Sequence, residues 1–147
     1  MLSFSITIHA RPDCAQPGPH IELTGGTFGT LLVPQSALAG AAFDCDFETA
    51  LDRLGQLARM HCEPDGSFVW TAPNGEPAWQ LDGNLYDRGQ RLSHVDVQGS
   101  CPSERFDQLL AALGWPRTPL VFQLRREAVV LDESELRRIA AAKTSCE

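Results

Sequence analysis

The sequence has no long hydrophobic run, no signal-peptide pattern in residues 1–13 and no excess of basic residues. No stretch approaches the roughly 18 consecutive apolar residues of a membrane-spanning helix, and residues 1–13 lack the basic start and apolar core of a signal peptide. The sequence has 12 Lys and Arg residues against 19 Asp and Glu, a net charge of −7. Because nucleic-acid binding depends on clustered basic side chains, we expect neither a membrane nor a nucleic acid as partner.

Close cysteine pairs are also missing. The five cysteines are an odd number, and none forms a C-x-x-C pair. A secreted disulfide framework typically has an even number in a shorter chain, and zinc sites typically combine tight ligand pairs. We therefore predict a reducing, cytoplasmic location, no metal and no cofactor. The cysteines are Cys14, Cys45, Cys62, Cys101 and Cys146.

The composition is that of an ordinary globular protein, 43% apolar and 21% charged. A chain of 147 residues favours one domain, which can bury roughly 70% of its unfolded surface. No linker or low-complexity segment divides it. We therefore predict a single domain over residues 1–147.

Alternating apolar and polar residues predict the strands. Residues 2–9 alternate strictly, which is typical of a half-buried strand. Residues 20–34 predict a hairpin that turns at Gly25 and Gly26. Further strands are predicted at 67–71, on both sides of a turn in 79–102, and as a pair in 119–131.

Helical spacing of apolar residues predicts helices over 46–60, 101–114 and 132–143. Asp46 and Asp132 are the predicted N-terminal caps of the first and third. The element order is then βββα-βββα-ββα, an α+β fold with antiparallel strands and three helices. From residue 47 onward the order αβββαββα is similar to that of the type III secretion chaperones, a resemblance of element order that carries no residue over.

The stretch "WQLDGNLYDRGQRLSHVDVQGSCP", residues 79–102, contains the best candidate site. A three-residue loop at 88–90 puts the apolar residues on one face and places Asp82 opposite Asp96. His94 shares their polar face. Two carboxylates and an imidazole can bind a divalent cation or act as an acid and a base, whereas the alternative is a solvated sheet face.

Two further residues, Cys101 and Trp115, are candidates for a catalytic and a binding role. Cys101 lies at the predicted start of the second helix, seven residues after His94, where a thiolate can be activated; the alternative is a small residue near a helix cap. Trp115, in the loop after Gly114, is predicted to be partly exposed and is a candidate binding residue. Trp70 and Trp79 are predicted to lie in the core.

These observations favour a non-enzymatic protein-binding or adaptor domain, chaperone-like or dimerising. Its partner is expected to be another protein or a second copy, docked on a sheet face or an exposed edge. The alternative is a small metal-dependent or acid/base enzyme of hydrolase type that uses Asp82, His94 and Asp96.

Overall fold

A computed structural model describes residues 1–145 as an α+β fold with one antiparallel sheet of nine strands and four helices. The strands are β1 Leu2–Ala10, β2 Gln16–Leu23, β3 Gly26–Leu32, β4 Met60–Cys62, β5 Ser67–Thr71, β6 Gln80–Arg88, β7 Arg91–Cys101, β8 Leu120–Leu124 and β9 Val130–Leu131. The helices are α1 Gln35–Gly40, α2 Phe47–Gly55, α3 Ser103–Ala112 and α4 Glu133–Ser145. No helix among these residues is both long and apolar enough to cross a membrane.

The first strand of the chain lies at the centre of the sheet. The strand order is β2-β3-β9-β8-β1-β7-β6-β5-β4, so β1 pairs with β7 on one side and with β8 on the other. The predicted alternation is confirmed, because Leu2, Phe4, Ile6 and Ile8 are all buried. The other face of β1 therefore carries its polar side chains.

Three helices cover the apolar face of the sheet. Helices α2, α3 and α4 supply buried residues such as Leu54, Phe106 and Ile139, which join one core cluster with the strands. Each large apolar side chain that is fully buried stabilises the fold by about 1.5–3 kcal/mol. Trp70 and Trp79 are in this core, as predicted.

The predicted caps are present. The Asp46 side chain accepts a hydrogen bond from the Thr49 amide at 2.8 Å, and Asp132 accepts one from the Glu135 amide at 2.8 Å. Helix α2 ends at Gly55, so the predicted extension to residue 60 is wrong. The chain reverses after α2, and Arg59 has a left-handed backbone angle (φ 70°) that no helix can continue through.

Two short elements were not predicted, so the predicted order with three helices needs correction. Strand β4 pairs with β5 at the end of the sheet. Helix α1 has six residues and no side-chain cap, and so little periodicity that the sequence does not predict it. Its Leu38 packs with Val121 and Val130 on the sheet face opposite the three longer helices.

The predicted β2–β3 hairpin is present, but its turn lies one residue earlier. Leu23 pairs with Gly26, so Thr24 and Gly25 form the turn instead of Gly25 and Gly26. Gly25 has a φ of 102°, and a Cβ atom there would collide with Ala142 of α4. Both the backbone angle and the close packing against α4 therefore require glycine at position 25.

The β6–β7 hairpin differs from the predicted register by two positions. Asn84 lies opposite Asp96, and Asp82 lies opposite Gln98, so the predicted pairing of Asp82 with Asp96 is wrong. A two-residue turn and a bulge between Tyr86 and Asp87 replace the predicted three-residue loop. A shift of two leaves the side chains of residues 80–86 and 94–100 on their predicted faces, so burial of these residues does not distinguish the two registers. The bulge does reverse two predicted positions, because Leu92 lies in the core and Ser93 lies on the opposite face.

Candidate functional site

The sheet face opposite α2, α3 and α4, here called the open face, carries the candidate site. Helix α1 covers one end of it, and beside α1 the central strands form a cavity of about 390 Å³ that we call the histidine cleft. Its volume falls within the range of small-ligand sites, roughly 300–1,000 Å³. It is lined by Thr7, His9, Gln35, Leu38, Ala39, Arg88, Ser93, His94, Asp96, Gln123 and Arg125.

Three rings form a stack across the strands of the cleft. The ring centroids of Tyr86 and His94 are 4.5 Å apart with an interplanar angle of 13°, and those of His94 and His9 are 5.8 Å apart at 24°. The stack follows from the register, because Tyr86 pairs with His94 and His94 pairs with His9. The imidazoles are therefore held in fixed orientations.

Asp96 lies in the adjacent row of paired residues. Its neighbours across the strands are Asn84 on β6 and Thr7 on β1. The Thr7 hydroxyl donates a hydrogen bond to Asp96 Oδ1 at 2.7 Å. This bond orients the carboxylate, which retains the capacity to accept further hydrogen bonds.

Burial keeps both cleft histidines neutral near pH 7. The pKa of His9, which is 8% exposed, is lowered mainly by burial and less by the nearby His94, while Gln123 and Asp96 act in the opposite direction. The pKa of His94 is lowered by burial and by Arg88, against the opposing effect of Asp96. Because Gln123 Oε1 is an acceptor at 3.1 Å, His9 Nε2 donates and its Nδ1 carries no proton.

Tyr86 forms the outer end of the ring stack. Its pKa is raised by desolvation and by the neighbouring Asp96 carboxylate, while the charge of Arg125 acts in the opposite direction. With 39% exposure the side chain still presents a large surface to solvent. It therefore borders both the cleft and the exposed part of the open face.

Lowered histidine pKa values predict that stability falls with acidification. The ordinary histidine pKa of 6.5 applies to the unfolded chain, whereas the pKa values of His9 and His94 in the folded chain are lower. As the pH falls below 6.5, the unfolded chain therefore takes up protons before the folded chain does. The free energy of unfolding consequently decreases as the pH falls from about 7 to about 5. Asp46, Asp65 and Glu76, whose pKa values are lowered by hydrogen bonds, act only at more acidic pH.

Urea unfolding at a series of pH values measures this effect. The double variant His9→Gln and His94→Gln should flatten the dependence between pH 7 and 5. His61→Gln is the matched control, because His61 is exposed on β4, outside the cleft. An unchanged slope in the double variant would contradict the prediction.

The predicted site residues are only partly brought together. His94 and Asp96 both line the cleft, whereas Asp82 lies outside it, with its carboxylate accepting a hydrogen bond from Gln80 Nε2 at 3.0 Å. Within residues 1–145, no three His, Cys, Asp or Glu side chains form a metal-binding group.

Cys101 and His94 lie on opposite faces of β7. Cys101 is buried in the core, and burial raises the pKa of its thiol to about 12. His94 lines the cleft on the open face. A Cys–His catalytic pair is therefore excluded by geometry. Cys146 lies outside the described residues.

Trp115 lies in the loop after α3 and does not line the histidine cleft. It is half-buried and packs against the core. It also lines a separate cavity of about 570 Å³ with Asp44, Asp46, Arg53 and Arg117. Its predicted partial exposure is present, and its binding role stays a prediction.

Sequence reasoning missed Thr7, His9, Tyr86, Arg88 and Arg125 as members of the site. The alternation in β1 did place Thr7 and His9 on a polar face, but nothing local indicated that β1 pairs with β7. The pairing joins residues that are 89 positions apart in the case of Thr7 and Asp96.

Comparisons with protein-family models, with curated proteins and with solved structures give no match for this chain. Its function therefore has to be inferred from the chemistry of the cleft and the open face.

Proposed function

We propose that this chain is a non-enzymatic binding domain that docks an acidic segment of another protein on its open face. The observation that supports this most directly is a pair of cations at the histidine cleft. Arg88 and Arg125 both line it, and neither forms a salt bridge within residues 1–145. Exposed arginines without acidic partners can pair with carboxylates of a ligand.

The shape of the sheet favours docking on the face over addition of a strand at an edge. Edge strand β2 contains Pro17 and Pro19, which lack amide hydrogens, and its register is irregular between Pro17 and His20. Edge strand β4 has only three residues. Short or proline-containing edges resist pairing with another chain.

The open face also offers surface for packing. Tyr86 and Val69 are 39% and 37% exposed, and they are large hydrophobic residues on neighbouring strands of the sheet. Tyrosine is enriched among the residues that dominate binding energy. A docked segment can therefore combine ion pairs at the cleft with contacts to these side chains.

The net charge of −7 does not prevent binding of an acidic segment. At physiological ionic strength charges are screened beyond about 8 Å. The field at contact therefore depends on the charged groups that line the cleft, Arg88, Arg125 and Asp96, in which the positive charges outnumber the negative one. The distant carboxylates mainly reduce the rate of encounter.

Selection from a random peptide library displayed on phage tests the proposal. We expect the chain to enrich peptides rich in Asp and Glu, and Tyr86→Ala to weaken their binding about tenfold or more, as measured by fluorescence anisotropy. Gln108→Ala is the control, because this exposed residue lies on α3 at the opposite face.

Two results would contradict the proposal. One is a set of selected peptides without acidic residues, or with equal affinity for the wild type and Tyr86→Ala. The other is a concentration-dependent dimer in sedimentation that Tyr86→Ala abolishes, since the occupant of the face would then be a second copy.

Acid/base catalysis is the second candidate function, because Thr7 fixes the Asp96 carboxylate beside a neutral His94. A neutral imidazole can accept a proton at pH 7. Turnover of aryl esters or phosphate esters that is lost in His94→Gln would favour this candidate over the binding domain.

We also propose a cytoplasmic location. In support, the four cysteines within residues 1–145 are all free thiols, as is typical of a reducing compartment.

A further inference from the structure

We propose that the histidine cleft is a subsite for one carboxylate-bearing residue of the docked segment, with Arg88 and Arg125 binding the carboxylate and Asp96 accepting the N–H of the adjacent peptide bond. This inference rests on the proposed function and names the chemical group that anchors the segment. The cleft volume of about 390 Å³ accommodates one such residue.

The two arginines are placed to hold a carboxylate. Both side chains line the cleft, Arg88 from the last position of β6 and Arg125 from the position directly after β8. Both cations therefore border the same cavity. A guanidinium group presents parallel N–H donors that match the two oxygens of a carboxylate.

Asp96 adds a requirement for a hydrogen-bond donor. It lines the same cleft, and the Thr7 hydroxyl holds one of its oxygens. An ionised carboxylate only accepts hydrogen bonds. A ligand that carries an N–H group next to its own carboxylate can therefore donate a hydrogen bond to Asp96, which strengthens its binding.

The same residue discriminates between anions. Inorganic phosphate carries more negative charge than a carboxylate at pH 7, although its remaining O–H group can donate a hydrogen bond. Placed between the arginines, the phosphate dianion would bring its larger negative charge close to the Asp96 carboxylate, and this repulsion is the basis of the discrimination. The cleft should therefore prefer an aspartate or glutamate residue to phosphate.

The histidines contribute shape instead of charge. His9 is buried and hydrogen-bonded to Gln123, and His94 is stacked between His9 and Tyr86. Because burial lowers the pKa of both imidazoles, the cationic groups of the cleft at pH 7 are Arg88 and Arg125. The predicted selectivity therefore depends on the two arginines and Asp96.

Titration of the full chain with small molecules, followed by NMR of the imidazole and guanidinium groups, tests the subsite. The probes are N-acetyl-L-aspartic acid α-amide, its neutral asparagine analogue and inorganic phosphate. We expect the aspartate probe to bind with a Kd on the order of 1 mM. The neutral analogue and phosphate should bind at least about tenfold more weakly.

Substitutions of the cleft arginines and of Asp96 identify the side chains that bind the probe. Arg88 and Arg125 are exposed, so replacing them should leave the fold intact. Arg88→Gln and Arg125→Gln should each weaken the aspartate probe about tenfold or more. Arg126→Gln is the matched control, because Arg126 is an adjacent exposed arginine that does not line the cleft. Asp96→Asn should reduce the preference for the aspartate probe over phosphate.

The subsite is overturned if phosphate binds the wild type as tightly as the aspartate probe, or if both arginine variants bind the probe normally. If the probe fails while acidic peptides still bind in a Tyr86-dependent manner, the subsite falls and the proposed function stands. If the probe binds but no peptide does, the subsite stands, and the docking of a protein segment is rejected.

Discussion

Gly83→Ala is expected to lower the free energy of unfolding by about 2–3 kcal/mol, although it adds only one methyl group. Gly83 pairs with Phe68 on β5 and with Val97 on β7, on the core face of the sheet. A Cβ atom at this position would overlap the ring of Phe68 and lie 2.6 Å from the Asp96 carbonyl oxygen. Since Phe68 is only 2% exposed, its ring has little room to move.

A double-mutant cycle measured by urea unfolding separates this overlap from a general effect of alanine. In a Phe68→Ala background the ring is gone, so Gly83→Ala should cost clearly less than in the wild type. Gly55→Ala is the control, because nothing lies within 4 Å of its added Cβ atom. That variant should be neutral or stabilising by up to about 1 kcal/mol. Additive costs in the cycle would refute overlap with the Phe68 ring as the cause, because the close contact with the Asp96 carbonyl oxygen is present in both backgrounds.

Trp70→Ala is expected to be the most destabilising change considered, at about 4 kcal/mol. The side chain is 1% exposed, and its indole Nε1 donates a hydrogen bond to the Ala58 carbonyl oxygen at 2.8 Å. Its ring meets the Trp79 ring edge-to-face, with centroids 5.2 Å apart. Removing it leaves a cavity between the sheet and the segment that follows α2.

Trp70→Phe is the matched variant for the hydrogen bond. A phenyl ring retains much of the buried surface but leaves the Ala58 carbonyl without its donor, so we expect a cost of about 1–2 kcal/mol. Circular dichroism during urea unfolding measures both variants without relying on tryptophan fluorescence. A cost below about 1 kcal/mol for Trp70→Ala would show that Trp70 contributes little to the core.

The strand faces could be predicted from the sequence, whereas the strand register could not. Alternation placed Asp82, His94 and Asp96 on one polar face, and the structure keeps them there. The two-residue turn and the bulge after Tyr86 each shift the register by one position, which changes the residue opposite Asp82 but leaves residues 80–86 and 94–100 on the same faces. Since the hydrophobic pattern of these residues is identical in both registers, only the turn geometry distinguishes them.

The composition of the cleft depends on contacts that no local pattern encodes. His9, His94 and Gln123 come from three strands, and the His9–Gln123 hydrogen bond spans 114 positions. Individual strands were predictable because their residues repeat with a period of two. The order in which those strands assemble depends on the packing of the whole chain. Helix α1, which closes one side of the cleft, is too short to produce a recognisable period.

The central position of β1 has a consequence for how the protein forms. Strand β1 pairs with β7 and β8, which the ribosome makes much later than β1. Until both emerge, Leu2–Ala10 has no permanent neighbours, and its apolar side remains available for wrong associations. Sheet closure between such distant segments is entropically expensive and slow. The nascent chain is therefore most vulnerable to aggregation before β8 is synthesised.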